Sequence, residues 1–78
     1  MYQVSKQYAQ HTMFKGRRTD IGPFRTFAQA RRECQEWLDA DHEQLDHPAG
    51  RAPRGIGAKY AVDEHGGDAR YWIEKVKS

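Results

Sequence analysis

The 78-residue chain has one cysteine, three prolines and no long apolar run. A membrane-spanning helix needs about 20 consecutive apolar residues, and no segment of this sequence approaches that length. A single cysteine excludes the internal disulfide framework of small secreted domains. A charged start followed by an apolar stretch, the pattern of a secretory leader, is also missing. We therefore expect a protein without a membrane segment that works in the reducing cytoplasm.

Motifs for catalysis and for cofactor binding are missing as well. The sequence has no P-loop, no GxGxxG and no Ser/His/Asp arrangement of recognisable spacing. Its four histidines and Cys34 show neither the CxxC nor the HxxxH spacing that is typical of metal sites. Cys34 falls on the apolar face of a predicted helix, where burial raises the pKa of a thiol and makes it a poor nucleophile. We predict a non-enzymatic protein without a cofactor, a metal ion or a small-molecule substrate.

The most periodic segment is a helix predicted over residues 26–45. Its apolar positions fall within one stripe about 100° wide; they are Phe27, Ala30, Cys34, Trp37, Leu38 and Leu45. Thr26 is a favourable N-cap, and Gln29 completes a capping box. Asp41 lies in the middle of the apolar stripe, so we expect contact with the core to weaken after Leu38.

Residues 1–24 are predicted to form a first hairpin. In its first strand, apolar and polar residues alternate as in a strand with one buried face; the apolar positions are Tyr2, Val4 and Tyr8. Lys6 interrupts this alternation, which favours an edge position, where a charge discourages pairing with other sheets. Gly22-Pro23 is expected to end the second strand, and Met13 and Phe14 fit either strand.

A mobile basic loop is predicted over residues 46–57. This segment is rich in proline and glycine, which are typical of loops, and it contains Arg51 and Arg54. Two arginines on such a tether can reach a phosphate or a carboxylate, or they can simply be solvated.

Residues 58–77 are predicted to form a closing hairpin around a Gly66-Gly67 turn, since such turns need positive φ angles. This turn fixes the register of the two strands. The expected cross-strand pairs are Asp63 with Arg70, Lys59 with Glu74, Val62 with Tyr71, and Tyr60 with Ile73. Charged pairs then share one face and apolar pairs the other. Trp72 falls on the charged face, where we expect it to be partly exposed.

The order of elements predicts one α+β domain spanning residues 1–78. It has the order β-β-α-β-β, with a small antiparallel sheet and one helix packed on one face of that sheet.

Charge is distributed in blocks although the net charge is only +2. Residues 1–32 carry seven Lys/Arg and one acid, residues 33–46 six acids and no base, and residues 47–78 six bases and four acids. Such an uneven charge distribution bears on which partners the protein can bind rather than on its fold.

The acids of the predicted helix lie opposite its apolar stripe; they are Glu36, Asp39, Glu43 and Asp46. One interpretation is a solvated face. Arg31 and Arg32, however, precede the acids, which is the reverse of the order that the helix dipole favours. A partner, or the protein's own basic loop, would explain this order.

Basic residues alternate with aromatic ones on or near the first hairpin; these residues are Phe14, Lys15, Arg17, Arg18, Phe24 and Arg25. Such a set can contact phosphates and bases. The acidic block would repel the same backbone, and the net charge is low for a nucleic-acid-binding protein.

In its layout the chain resembles the small phage-encoded inhibitor proteins, anti-CRISPR proteins among them. The resemblance is found in the helix entry Gly22-Pro23-Phe24-Arg25-Thr26-Phe27 and in the closing hairpin from Tyr60 to Ile73. It implies stoichiometric action by occupying a surface on a host protein or ribonucleoprotein complex, in the host cytoplasm. The DNA mimics of this kind are strongly acidic overall, and this chain is not.

The hypothesis is therefore an inhibitor that blocks a nucleic-acid-binding surface of its partner. The residues assigned to partner binding are Arg17, Arg18, Glu36, Asp39, Glu43, Arg51, Arg54 and Trp72. The alternative is a small nucleic-acid-binding or transcription-accessory protein that uses the basic first hairpin. A third hypothesis, a minor structural or assembly protein, predicts self-association.

Overall fold

The computed structural model describes residues 1–42, 50–63 and 67–77. A four-stranded antiparallel sheet carries one helix, which confirms the predicted α+β class. The elements are β1 (Tyr2–Tyr8), β2 (Arg18–Phe24), α1 (Phe27–Asp41), a short 3-10 turn (Ala58–Tyr60), β3 (Val62–Asp63) and β4 (Ala69–Lys75). The strand order in the sheet is β2-β1-β4-β3.

Strand β1 is central, so the prediction that Lys6 marks an edge strand is wrong. The strand pairs with β2 on one side and with β4 on the other. Lys6 is tolerated there because its Nζ lies 2.6 Å from Oδ2 of Asp41 on the helix. A buried ammonium that forms an ion pair with a carboxylate is stabilised without solvent. A lysine in the strand pattern therefore does not distinguish an edge strand from a central one.

Strand β2 continues through Gly22-Pro23 to Phe24, although these residues were expected to end it. Val4 pairs with Ile21 but Tyr2 pairs with Phe24, so β2 has one extra residue at a bulge. The bulge allows Ile21 and Phe24, three positions apart, both to pack against the core. Gly22 has a φ of +130°, and a Cβ there would lie 3.2 Å from the Tyr2 carbonyl oxygen.

Helix α1 begins as predicted. The Gln29 amide donates to Oγ1 of Thr26 at 3.1 Å, the capping contact expected from the sequence. The helix ends at Asp41 rather than near Leu45, which lies outside the described residues. At this end both the amide and the Nδ1 of buried His42 donate to the Leu38 carbonyl oxygen, at 3.1 and 2.8 Å.

The closing hairpin has part of the predicted register. Val62 pairs with Tyr71 and Asp63 with Arg70, as expected, whereas residues 64–66, including the first glycine of the expected turn, lie outside the described residues. The two outer pairs are wrong because Ala58–Tyr60 forms a 3-10 turn instead of a strand. The Ile73 carbonyl, expected opposite Tyr60, accepts a hydrogen bond from the Gly57 amide at 2.7 Å.

The core lies between the helix and the sheet. Its buried members come from β1, α1, β4 and the segment before the 3-10 turn; they are Val4, Ala30, Cys34, Leu38, Ala52, Tyr71 and Ile73. The rings of Trp37 and Tyr71 meet edge to face at 5.5 Å. Within the part of the chain that the structure describes, no helix has the length and apolar character needed to cross a membrane.

Residues 50–57, the described part of the predicted basic loop, pack against the helix. The Gln35 side chain accepts from the Ala52 amide at 2.8 Å and donates to the Gly50 carbonyl at 2.9 Å. Arg31 donates to the Pro53 carbonyl at 3.2 Å. These contacts hold the segment along one side of α1.

Candidate functional site

The outer face of α1 presents carboxylates without basic partners. Among the described residues, the acids that contact a basic side chain are Asp20, Asp41, Asp63, Asp68 and Glu74. The described acids without such a contact all lie on the helix; they are Glu33, Glu36 and Asp39. Within the part of the chain that the structure describes, unpaired negative charge is thus concentrated on α1.

Glu36 and Asp39 are exposed, as the sequence predicted. Asp39 accepts a hydrogen bond from Nε2 of Gln35 at 3.0 Å, which orients its carboxylate without neutralising it. The last turn of the helix contains no basic residue. Glu43, the third member of the predicted stripe, lies outside the described residues.

Arg18 is engaged within the chain rather than free for a partner. Its Nε lies 2.9 Å from Oδ1 of Asp20, and its Nη2 lies 3.0 Å from Oε2 of Glu74. The contact with Asp20 lies within β2, whereas the contact with Glu74 crosses β1, which lies between β2 and β4. The same Nη2 donates to Oγ of Ser5 on β1 at 3.3 Å. The pKa of Arg18 is raised, chiefly by its hydrogen bond to Asp20.

Trp72 was expected to be partly exposed, and this prediction is wrong because only 6% of its surface is accessible. The guanidinium of Arg18 lies over its ring, 5.3 Å from the centroid. The indole Nε1 donates to Oε1 of Glu74 at 2.6 Å, which is the largest cause of the lowered pKa of Glu74. Trp72 therefore belongs to a polar cluster on the sheet surface and presents little area to a partner.

The basic and aromatic residues of the first hairpin divide between the two ends of the sheet. Arg17 and Lys15 are exposed at the turn before β2, beside Phe14, whose ring lies 4.4 Å from that of Tyr8. Phe24 and Arg25 lie at the far end of β2, and Phe24 packs against the core. The structure does not bring this set together into one surface.

Arg51 and Arg54 are both exposed. Arg54 lies beside the 3-10 turn, where a groove of about 400 Å³ is open to solvent; its lining is Phe27, Arg54, Gly55, Ile56, Lys59 and Tyr60. Sequence reasoning missed this groove because it placed Lys59 and Tyr60 in a strand. The loop was predicted to end at residue 57, whereas β3 begins only at Val62, after the 3-10 turn.

A second feature that sequence reasoning missed is the largely buried cluster of Lys6, Asp41 and Tyr71, in which Asp41 stays partly exposed. Lys6 contacts Asp41, and the Tyr71 hydroxyl donates to the same carboxylate oxygen. Among the described residues, no group of three histidine, cysteine, aspartate or glutamate side chains is placed to hold a metal ion. The cluster is a contact between helix and sheet.

Comparison of the chain with protein-family models, with curated proteins and with solved structures found no match.

Proposed function

We propose that this protein is a non-enzymatic inhibitor that binds a host protein or ribonucleoprotein complex stoichiometrically. The acidic helix face, formed by Glu36 and Asp39 with Glu43 following in the sequence, occupies a basic surface of the partner that would otherwise bind nucleic acid. The observation that supports this best is the concentration of unpaired carboxylates on α1, among the described residues, while the other acids contact bases within the chain.

The position of these carboxylates on the helix also supports a partner. Negative charge in the C-terminal half of a helix opposes its dipole, at a cost of about 0.3–1 kcal/mol per charge near the end. No basic residue in the last turn offsets this effect. A partner of positive potential would offset it on binding and would also accelerate association.

The spacing of the carboxylates suits a surface that binds nucleic acid. Residues three apart on a helix are neighbours on one face, separated by about 4.5 Å along the axis. Phosphates along one strand of B-DNA advance by about 3.4 Å per nucleotide. Glu36 and Asp39 therefore present negative charge at a comparable density, which a row of lysines and arginines can bind.

The test compares two pairs of neutral, nearly isosteric substitutions. Glu36→Gln with Asp39→Asn removes charge from the helix face. The control, Asp63→Asn with Asp68→Asn, removes the same charge from acids that are exposed elsewhere. A host protein captured from nuclease-treated lysate is then titrated with each variant, and its nucleic-acid binding is measured at increasing molar ratio.

We expect the wild-type protein to abolish nucleic-acid binding by the captured protein at a ratio near one to one. The helix-face variant should bind at least about tenfold more weakly, because each charge pair in a desolvated contact contributes on the order of 1.5 kcal/mol or more. Its melting temperature should be unchanged or slightly higher. Equal inhibition by the helix-face variant would refute the proposal, and so would equal loss in the control.

The alternative, nucleic-acid binding by the first hairpin, is supported less well. Arg18 is engaged by Asp20 and Glu74, and Phe24 packs against the core. Lys15 and Arg17 remain beside the exposed edge of Phe14. Two cations and one ring at a turn make a smaller surface than the sequence suggested.

A further inference from the structure

The groove next to the 3-10 turn combines exposed aromatic, aliphatic and cationic side chains. We call it the Tyr60 groove, and its lining is Phe27, Arg54, Gly55, Ile56, Lys59 and Tyr60. Tyr60 and Ile56 remain 42% and 41% exposed. The exposed ring and the neighbouring exposed aliphatic side chain offer apolar surface to a ligand at this groove.

The ring of Tyr60 packs against the backbone of Gly55. A Cβ added at Gly55 would lie 2.6 Å from a carbon of this ring, so the ring rests against the Gly55 backbone. The Tyr60 amide donates to the Gly57 carbonyl at 3.1 Å, and the Gly57 amide donates to Ile73 on β4 at 2.7 Å. The backbone that carries the ring is thus tied to β4, and the ring packs against Gly55, so less conformational freedom is left to lose on binding.

Positive charge surrounds the groove. Nζ of Lys59 lies 4.8 Å from the centre of the Tyr60 ring, and Arg54 lines the same groove. Neither cation contacts a carboxylate among the described residues. Both are therefore available to an anion.

The same end of the sheet carries further cations. Tyr2 pairs with Phe24 on β2 and with Lys75 on β4, and its ring meets that of Phe27 at 6.1 Å. Arg25 and Lys75 consequently lie at the end of the sheet that holds Phe27 and the groove. The neighbouring acid Glu74 is already engaged by Arg18 at 3.0 Å.

We infer that the Tyr60 groove binds single-stranded nucleic acid, with a base stacked on Tyr60 and the flanking phosphates on Arg54 and Lys59. A duplex offers no free base face to a ring, whereas an unpaired strand does. Cations that continue beyond the groove match an extended polyanion. An acidic peptide would use the cations but would gain little from the ring.

This inference goes beyond the proposed inhibitor function and does not depend on it. The residues that it uses lie outside the acidic helix face. In a ribonucleoprotein partner, the groove would contact an exposed strand while the helix face contacts the protein.

The experiment measures fluorescence anisotropy of a labelled oligothymidylate of about 12 nucleotides, since about 4–16 suit one binding site, at several salt concentrations. We expect binding that weakens with salt, with a slope of about −0.7 for each phosphate contacted. Tyr60→Leu should weaken binding about tenfold without changing the slope, because it removes stacking only. Tyr60→Phe should bind like the wild type.

Charge is tested with matched pairs of substitutions. Arg54→Ala with Lys59→Ala should reduce the salt slope by about 1.4, the value for two phosphate contacts on a single strand. Lys15→Ala with Arg17→Ala removes the same charge at the other end of the sheet and should have little effect. All substituted residues are exposed, so unchanged melting temperatures are expected.

Four outcomes would overturn the inference. They are no binding at low salt, equal affinity for a duplex of the same length, an equal effect of the Lys15/Arg17 pair, and unaltered binding by Tyr60→Leu. The last result, together with displacement of the oligonucleotide by polyglutamate, would identify a site for acidic peptides. The Glu36→Gln/Asp39→Asn variant should bind the oligonucleotide at least as tightly as wild type, so the two proposals fail separately.

Discussion

Lys6 and Asp41 are direct partners, with Nζ of the lysine 2.6 Å from Oδ2 of the aspartate. Each interrupts an apolar pattern, one on β1 and the other on α1. The Tyr71 hydroxyl donates to the same carboxylate oxygen, and Nζ of Lys6 lies 5.1 Å from the centre of the Tyr71 ring. Two polar interruptions that are far apart in the sequence thus form one contact between the helix and the centre of the sheet.

Removing one member of this pair should destabilise the fold. The Lys6 side chain is only 6% exposed, whereas that of Asp41 is 26% exposed. We expect Asp41→Ala to lower the free energy of unfolding by about 3 kcal/mol, the lower end of the range for a broken buried pair. The double change Lys6→Met/Asp41→Ala should lose less than Asp41→Ala alone, because no unpaired ammonium remains buried. Urea unfolding of the wild type and of the two variants tests this, and a larger loss in the double variant would contradict it.

The Asp63–Arg70 pair should show a small but measurable coupling. Nε of Arg70 lies 3.0 Å from Oδ1 of Asp63, and both side chains are more than half exposed. Asp63→Arg with Arg70→Asp should recover stability that either single reversal loses, with a coupling of about 0.2–1 kcal/mol. A double-mutant cycle at low and high salt measures it. Coupling that is zero at low salt would show that the contact contributes nothing to the hairpin.

Cys34 should react slowly while the protein is folded. It is fully buried, and burial raises the pKa of its thiol to about 12, with Arg31 opposing that rise. At neutral pH we expect labelling by a thiol reagent to be at least about a hundredfold slower than in denaturant, since it requires an opening reaction. Fast stoichiometric labelling of the native protein would contradict this expectation.

The same pKa has a consequence for alkaline stability. The unfolded thiol ionises near its ordinary value of 9.0, whereas the folded thiol retains its proton to about 12. The contribution of the protonated, buried thiol to the free energy of unfolding is therefore fully present below pH 9. It is lost as the pH rises from 9.0 to about 12. Cys34→Ala should unfold with a weaker pH dependence in this window.

Glu74 should contribute stability that disappears in acid. Its pKa is lowered from 4.5, first by the hydrogen bond from Trp72 and then by the charge of Arg18, against desolvation that raises it. A lowered pKa in the folded state stabilises the protein above the ordinary value and loses that effect as the pH falls below about 4.5. Because the side chain is about one-third exposed, we expect less than about 1 kcal/mol. Glu74→Gln should reduce the slope of stability against pH in acid; an unchanged slope would exclude this role.

Local features of the fold could be predicted from the sequence. The Thr26 cap, the first hairpin and the Val62–Tyr71 pair depend on nearby residues, and all three are present. The position of β1 in the sheet depends on a partner distant in sequence. A lysine that meets an aspartate across the core has the same local pattern as one that faces solvent, so Lys6 could not reveal a central strand.

In the candidate site, too, features that depend on local sequence could be predicted, whereas features that depend on distant residues could not. The exposure of Glu36 and Asp39 follows from helix periodicity, which fixes the face opposite the core. The burial of Trp72 depends on Arg18, which reaches it from β2 across β1. The alternation of residues along β4 predicts only the face of the sheet on which Trp72 lies. Whether Arg18 covers Trp72 depends on the strand order, which this pattern does not contain.

The pairing of β1 with β4 has a consequence for how the chain reaches its fold. Tyr2 pairs with Lys75 and Tyr8 with Ala69, so the two strands at the centre of the sheet come from opposite ends of the sequence. The first hairpin can form early. Strand β4, which packs against both this hairpin and the helix, is missing until it has been synthesised. Pairing between strands so distant in the sequence slows folding, and apolar surface stays exposed until β4 pairs with β1. On the ribosome, this sheet can therefore close only after translation has passed Lys75 and β4 has left the exit tunnel.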